Sequence, residues 1–137
     1  MDALADPSVR TVAIANPQHA PYGRAAQSAL ESSGLLAEVE PKLVLGENVA
    51  QAAEFARTGN ADAAIVALSL VLADPLRDIG EWTEVPVDAF PRLDQAGVVL
   101  ADAEHPDAAG LVRDAMLDGP GRRVLEAYGF SLPGASP

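Results

Sequence analysis

The stretch VAIANPQHAPYGRAAQSAL (residues 12–30) decides the fold. It opens on small and β-branched residues, breaks at Asn16-Pro17, and restarts at Pro21 as an alanine-rich segment with apolar residues three and four apart. The first part reads as a buried strand over 9–15. The second reads as a helix over 21–33, with Ala25, Ala26, Ala29 and Leu30 on one face and Gly34 as its stop. Proline at 17 and again at 21 makes the joint stiff, because each fixes its own φ.

The pattern repeats further on. VEPKLVLG (39–46) predicts a second strand, and ENVAQAAEFARTGNAD (47–62) a second helix with Val49, Ala52, Ala53 and Ala56 as its apolar stripe. Asn48 suits the N-cap, Gln51 completes a pair resembling a capping box, and Gly59 ends the helix. AAIVALSLVLA (63–73) predicts a central buried strand, with Ser69 capping a short turn after it. EWTEVP (81–86) and QAGVVLA (95–101) predict two more strands, separated by a loop containing Pro91. The tail predicts two helices, 106–118 and 120–130, each begun by a proline. Their buried stripes are expected at Leu111, Val112, Ala115 and Met116, and at Val124, Leu125 and Tyr128, with Gly129 as a cap and Phe130 folding back. Alternating strands and helices specify an α/β fold in three layers: a mostly parallel sheet of about five strands, flanked by helices. The 137 residues are expected to form a single α/β domain with a core over 9–101 and a helical tail over 106–130.

Charge and composition narrow the function. Twenty acidic against nine basic residues leave a net charge of −11, a field that repels phosphate and so disfavours nucleic acid and anionic membrane surfaces. Any anion must be held locally, by dipoles. There is no cysteine, which removes disulfides and thiolate metal sites. No apolar run approaches the length of a membrane span, and no charged segment followed by an apolar one opens the chain, so membrane insertion and a leader are not expected. His19 and His105 are too far apart in sequence to suggest a metal or catalytic pair, and Ser69 lacks the glycines of a nucleophile elbow. Trp82 is expected to serve packing. Asp102, Glu104 and Asp107 read as a solvated loop, and Arg122-Arg123 as a surface pair. No catalytic residue, no cofactor and no metal site are assigned; the chain does not read as an enzyme.

Two helix beginnings carry the chemistry. With Pro21 at the first helical position, the N–H groups of Tyr22, Gly23 and Arg24 are expected to point out of the helix start, where the macrodipole is positive. Gly23, without a Cβ, should allow a ligand to approach closely. Asn48, Val49 and Ala50 offer a second such set, and in a parallel sheet both would lie beyond the carboxyl ends of neighbouring strands.

The segments VAIANPQHAPYGRAAQSALESSGL (12–35), PKLVLGENVAQAAEFARTGNADAAIVALS (41–69), WTEVPVD (82–88) and RRVLEAYGF (122–130) resemble the second lobe and C-terminal region of the molybdate-binding proteins of bacterial ABC transporters. The resemblance runs over nearly the whole chain, with NPQHAPYG and GENV as its most specific blocks. It implies one lobe of a periplasmic binding protein of type II-like fold, in which molybdate or tungstate is held between two lobes by backbone N–H groups and hydroxyls. By resemblance the contacts fall on the N–H groups of Tyr22 and Val49, with Gly23 and Asn48 beside them. Some members carry a tyrosine where this chain has Ala67, so that donor is missing. The pattern is entered near the first crossing between lobes, so half of the oxyanion site is expected here and binding in isolation should be weak. The implied partners are the oxyanion, ABC-transporter membrane subunits and a missing first lobe. Without that lobe the tail helices would show an apolar stripe, which favours a homo-oligomer. The implied location is the periplasm or another extracytoplasmic space, and the cytoplasm if the chain is complete as given. The alternative reading is a ligand-free interaction or assembly protein that keeps the lobe fold as a homodimer.

Overall fold

The computed structural model describes residues 1–132. They fall into two compact units, Met1–Leu93 and a second beginning at Asp94. The break lies a few residues before the end of the expected core, inside a segment without regular structure.

The first unit is α/β. After a 3-10 turn at Asp2–Ala5 come strand β1 (Val12–Ala15), helix α1 (Pro21–Ser32), a short helix α2 (Leu36–Val39), a 3-10 turn at Glu40–Lys42, and strand β2 (Leu43–Gly46). Helix α3 (Val49–Arg57), strand β3 (Ala63–Ala64) and a one-turn helix α4 (Leu68–Val71) follow. The sheet is parallel throughout, in the order β2-β1-β3. The chain thus leaves β1 in one direction and returns past it in the other. Two right-handed crossovers of opposite direction must use opposite faces of the sheet. The packing agrees: Val12 meets Leu30 of α1 and Val39 of α2, while Ala13, on the other face, meets Ala52 of α3 and Ala61, with Phe55 packed against them. All four residues of β1 are buried, as a strand covered on both faces requires. The alanines at 13, 52 and 53 allow α3 to lie close on the sheet.

Both helix ends in this unit close as expected. At the end of α1 the N–H of Leu35 donates to the Leu30 carbonyl and that of Gly34 to Glu31; Asn60 and Gly59 repeat the pair with Phe55 and Ala56 after α3. Each glycine has φ near +73°, the left-handed conformation that this closure needs and a Cβ would strain.

Several expected strands are shorter or absent. The strand expected over 39–46 begins only at Leu43, because Val39 ends α2 and Pro41, which has no N–H for a ladder, sits in the 3-10 turn. The run 63–73 is not the central strand; β1 is. Beside the four-residue β1, β3 pairs through Ala63 and Ala64, with one more bond from the Ile65 N–H to the Ala13 carbonyl, and the rest of the run turns into α4. Ser69 lies inside that turn; its N-cap is Ala67, without a side-chain cap. Neither 81–86 nor 95–101 forms a strand, so the described residues hold three strands where about five were expected. Trp82 is half exposed, not a packing residue of the core.

An acidic clasp joins the starts of β1 and β3. Asp62 accepts from the N–H groups of Arg10 (2.8 Å) and Thr11 (2.9 Å) and from the Thr11 hydroxyl (3.0 Å). These bonds, the Arg10 N–H foremost, hold its carboxyl below the usual carboxylate range. A depressed folded-state pKa means stability that is present above the ordinary range and is lost as pH falls through the folded value. Asp62→Asn should therefore lower the urea midpoint at neutral pH, by a deficit that shrinks as the pH falls below the ordinary carboxylate range and through the depressed folded-state value. An equal deficit across that range would show that the charge of the clasp is not what stabilises.

In the second unit, helices α5 (Pro106–Leu117) and α6 (Pro120–Ala127) pack on one another, with Gly119 in the turn and Gly121 at the start of α6 lying against Ala115 and Met116. A Cβ on Gly121 would stand 2.7 Å from the Met116 Cα. After α6 the Phe130 N–H donates to the Leu125 carbonyl, closing the expected cap. The apolar stripes, however, are not buried: Leu111 is 72%, Val112 60%, Met116 48% and Val124 56% exposed, Ala115 is also exposed, and Leu125 and Tyr128 are intermediate. Within the described residues the two helices leave these side chains only partly covered.

Candidate functional site

The site follows from the register of β1 on β2. Ala15 pairs with Gly46, and the Asn16 N–H continues the ladder by donating to the Gly46 carbonyl at 2.8 Å. The two strands therefore end together, and the loops leading to α1 and α3 leave side by side. Between them lies an open cavity of about 260 Å³, lined by His19, Ala20, Pro21, Tyr22, Glu47, Asn48 and Val49.

Each loop is braced. In the first, the Asn16 side chain accepts from the Gln18 N–H (3.0 Å) and its carbonyl accepts from the Ala20 N–H (2.9 Å), so the chain turns at once into α1. In the second, the Asn48 side chain accepts from the Gln51 N–H (3.0 Å), as the N-cap reading expects, and the Gln51 side chain reaches back to the Glu47 N–H (2.6 Å). The loops are joined by His19, whose Nε2 lies 2.9 Å from the Glu47 carbonyl oxygen and 3.8 Å from its carboxylate. Sequence reasoning missed this bridge. His19 and Glu47 are 28 positions apart and meet only because β1 and β2 are neighbours.

Of the residues assigned in advance, Tyr22, Asn48 and Val49 come together in this cavity. Gly23 does not line it, and its small size serves another purpose. A Cβ there would stand 2.2 Å from the Ala15 carbonyl oxygen, so glycine lets α1 start directly on the end of β1. The N–H groups of Gly23 and Arg24 do not point outward either; both donate to the Ala20 carbonyl. Ala67 is buried as the N-cap of α4 and is not among the lining residues.

The cavity contains no arginine or lysine, and its one carboxylate is Glu47. What it can offer an anion is the positive ends of two helices, α1 of twelve residues and α3 of nine. Such a site suits a compact anion that accepts several hydrogen bonds. Among the described residues there is no group of three or more histidine, cysteine, aspartate or glutamate side chains placed to hold a metal ion.

An α/β fold with two helix starts converging beyond the carboxyl ends of parallel strands is an architecture that can bind a small ligand at the strand ends. The family model for bacterial extracellular solute-binding protein matches residues 1–131, and the chain belongs to that family. It is 38% identical over 121 residues to the molybdate-binding protein ModA of Azotobacter vinelandii and 36% identical over 119 residues to that of Rhodobacter capsulatus. These matches cover 88% and 87% of this chain but 48% and 46% of the relatives, so the chain spans about half their length. The structure superposes on the periplasmic molybdate-binding protein of Azotobacter vinelandii with a TM-score of 0.82 and 28% identity, covering 95% of this chain and 57% of that one. The substrate-binding domain of a molybdenum ABC transporter from Clostridium difficile shares the fold, at a TM-score of 0.70 and 21% identity. The resemblance read from the blocks NPQHAPYG and GENV is thereby confirmed.

Proposed function

We propose that the chain is an oxyanion-binding module of the molybdate and tungstate type, acting as a binding protein and not as an enzyme. The observation that carries this reading is the convergence of the Pro21-Tyr22 and Asn48-Val49 helix starts on one cavity without cations. The contacts proposed are the backbone N–H groups of Tyr22 and Val49, with Asn48 holding the second helix start in place. Gly23 acts from beneath, by seating α1. Ala67 supplies no hydroxyl. By analogy with the relatives' names, the module works outside the cytoplasm with the membrane subunits of an ABC transporter; no helix among the described residues is long and apolar enough to cross a membrane itself.

The contribution of these donors can be bounded. Two charge-assisted hydrogen bonds at about 1.5–3 kcal/mol each give about 3–6 kcal/mol, a Kd between several millimolar and tens of micromolar, roughly. Residues 1–137 assayed alone should bind molybdate and tungstate in that range, by calorimetry or by titration of backbone amide shifts. Submicromolar binding by a proven monomer would show that donors beyond these two helix starts act in this chain. No binding of molybdate, tungstate or sulfate at tens of millimolar would overturn the oxyanion reading.

A second reading is favoured by the exposed stripe on α5 and α6: an assembly protein that keeps the lobe fold as a homodimer. Burying such side chains is worth about 1.5–3 kcal/mol each, which makes self-association through them favourable. Sedimentation velocity over a concentration series decides it. A rising mass that Leu111→Glu together with Val124→Glu returns to the monomer supports the dimer, and a constant monomer mass refutes it.

A further inference from the structure

We infer that His19 is a positioning residue for the oxyanion site, fastening the loop that presents the Val49 N–H to the loop that presents Tyr22; this rests on the oxyanion reading above. The imidazole Nε2 is 2.9 Å from the Glu47 carbonyl oxygen, so with its proton on Nε2 the ring donates across the gap between the two loops. That carbonyl belongs to the peptide immediately before the one that carries the Val49 N–H. The Glu47 backbone is thus held from both ends, its N–H by the Gln51 side chain at 2.6 Å and its carbonyl by His19. The next peptide, Asn48-Val49, whose N–H the site uses, is held at its carbonyl by the Ala52 N–H (3.2 Å), so the bonds to Glu47 fasten the turn that leads into it.

The residues around His19 make the fastening effective. Pro17 and Pro21 fix φ on either side of it, and the Asn16 side chain and carbonyl close the turn between them. A hydrogen bond from an already rigid loop orders little that was free before it, so more of its strength goes into holding the partner. His19 itself is half exposed, and its ring supports no part of the buried core. A purely structural role would therefore show in global stability only weakly. The Glu47 carboxylate lies 3.8 Å from the same nitrogen, so the one carboxylate of the cavity has the ring as a neighbour.

The test compares the full chain with His19→Phe, which fills the space but cannot donate, and His19→Gln, whose amide can reach the same carbonyl. Two readouts are taken: backbone amide hydrogen exchange without ligand at Glu47, Gln51 and Ala52, whose N–H groups are hydrogen-bonded within this turn, and the Kd for molybdate. His19→Phe should speed exchange at these amides by about two- to ten-fold and weaken molybdate binding by a similar factor, the size expected for one lost hydrogen bond. His19→Gln should restore both. Unchanged exchange at Glu47 and Gln51 in His19→Phe, or failure of His19→Gln to restore it, would overturn the proposal. Should the wild-type chain bind no oxyanion, the reading of function fails by itself, and the exchange readout still decides whether His19 fastens the loops.

Discussion

Gly23→Ala should destabilise the first unit by about 3 kcal/mol or more, whereas Gly110→Ala should stabilise the second by about 0.5–1 kcal/mol. The two substitutions are chemically the same, and both lie inside a helix of twelve residues. By propensity alone each should be favourable, since alanine in a helix interior is better than glycine by about that margin. The surroundings set the sign. At Gly23 the added methyl would stand 2.2 Å from the Ala15 carbonyl oxygen and 2.8 Å from two backbone carbons, none of which can swing aside as the end of a flexible side chain would. Relief requires α1 to lift from the end of β1, which also lifts Ala26 and Leu30 from the core they complete. At Gly110 nothing lies within 4 Å. Amide exchange resolved by unit, or urea unfolding followed by probes in each unit, measures the pair. A loss at Gly23 below about 1 kcal/mol would mean that the β1–α1 joint yields easily, and the packing argument would fall.

The same glycine shows what a sequence can and cannot display. That a glycine at 23 permits close approach was legible; that the approaching group is the strand's own carbonyl, and not a ligand, depends on the angle at which α1 leaves β1. Features set by a few neighbouring residues came through: the buried β1, the proline start of α1, the Asn48 cap with its Gln51 partner, and the closures at Gly34 and Gly59. Features set by sheet order did not. The run 63–73 is apolar throughout, so its periodicity cannot separate strand from helix, and nothing in it marks where β3 ends and α4 begins. Residues 81–86 and 95–101 have strand-like composition, but among the described residues no strand edge pairs with them. That Tyr22, Asn48 and Val49 sit at helix starts was readable from local signals, and the resemblance, not those signals, pointed to Tyr22 and Val49 among their neighbours. The His19–Glu47 bridge could not, because it exists only across two strands that the sequence does not mark as neighbours.

Val49→Pro should weaken oxyanion binding by about ten- to a hundred-and-fifty-fold, the loss of one charge-assisted hydrogen bond of about 1.5–3 kcal/mol. Ordinarily proline in a helix would say nothing about a ligand, because it destroys the helix. Position 49 is different. It is the first residue of α3, where proline lacks only an N–H that has no carbonyl a full turn before it, and where the fixed φ matches the helix. Asn48, the residue before it, is already extended at φ −152° and ψ 174°, as a residue preceding proline should be. Its side chain still accepts from the Gln51 N–H, so the cap survives. The substitution therefore removes one donor and leaves the helix start in place, which thermal unfolding should verify by a nearly unchanged midpoint. Val49→Ala separates side chain from backbone: it trims the partly buried valine but keeps the N–H, and should bind almost as the parent does. Tyr22→Phe makes the same separation on the first helix, keeping the backbone donor and removing only the phenol, and it too should bind nearly as the parent. If Val49→Pro binds molybdate as well as Val49→Ala, the N–H at the start of α3 is not a ligand. If Tyr22→Phe proves as damaging as Val49→Pro, the first helix acts through a hydroxyl, and the dipole account of that half of the site is wrong.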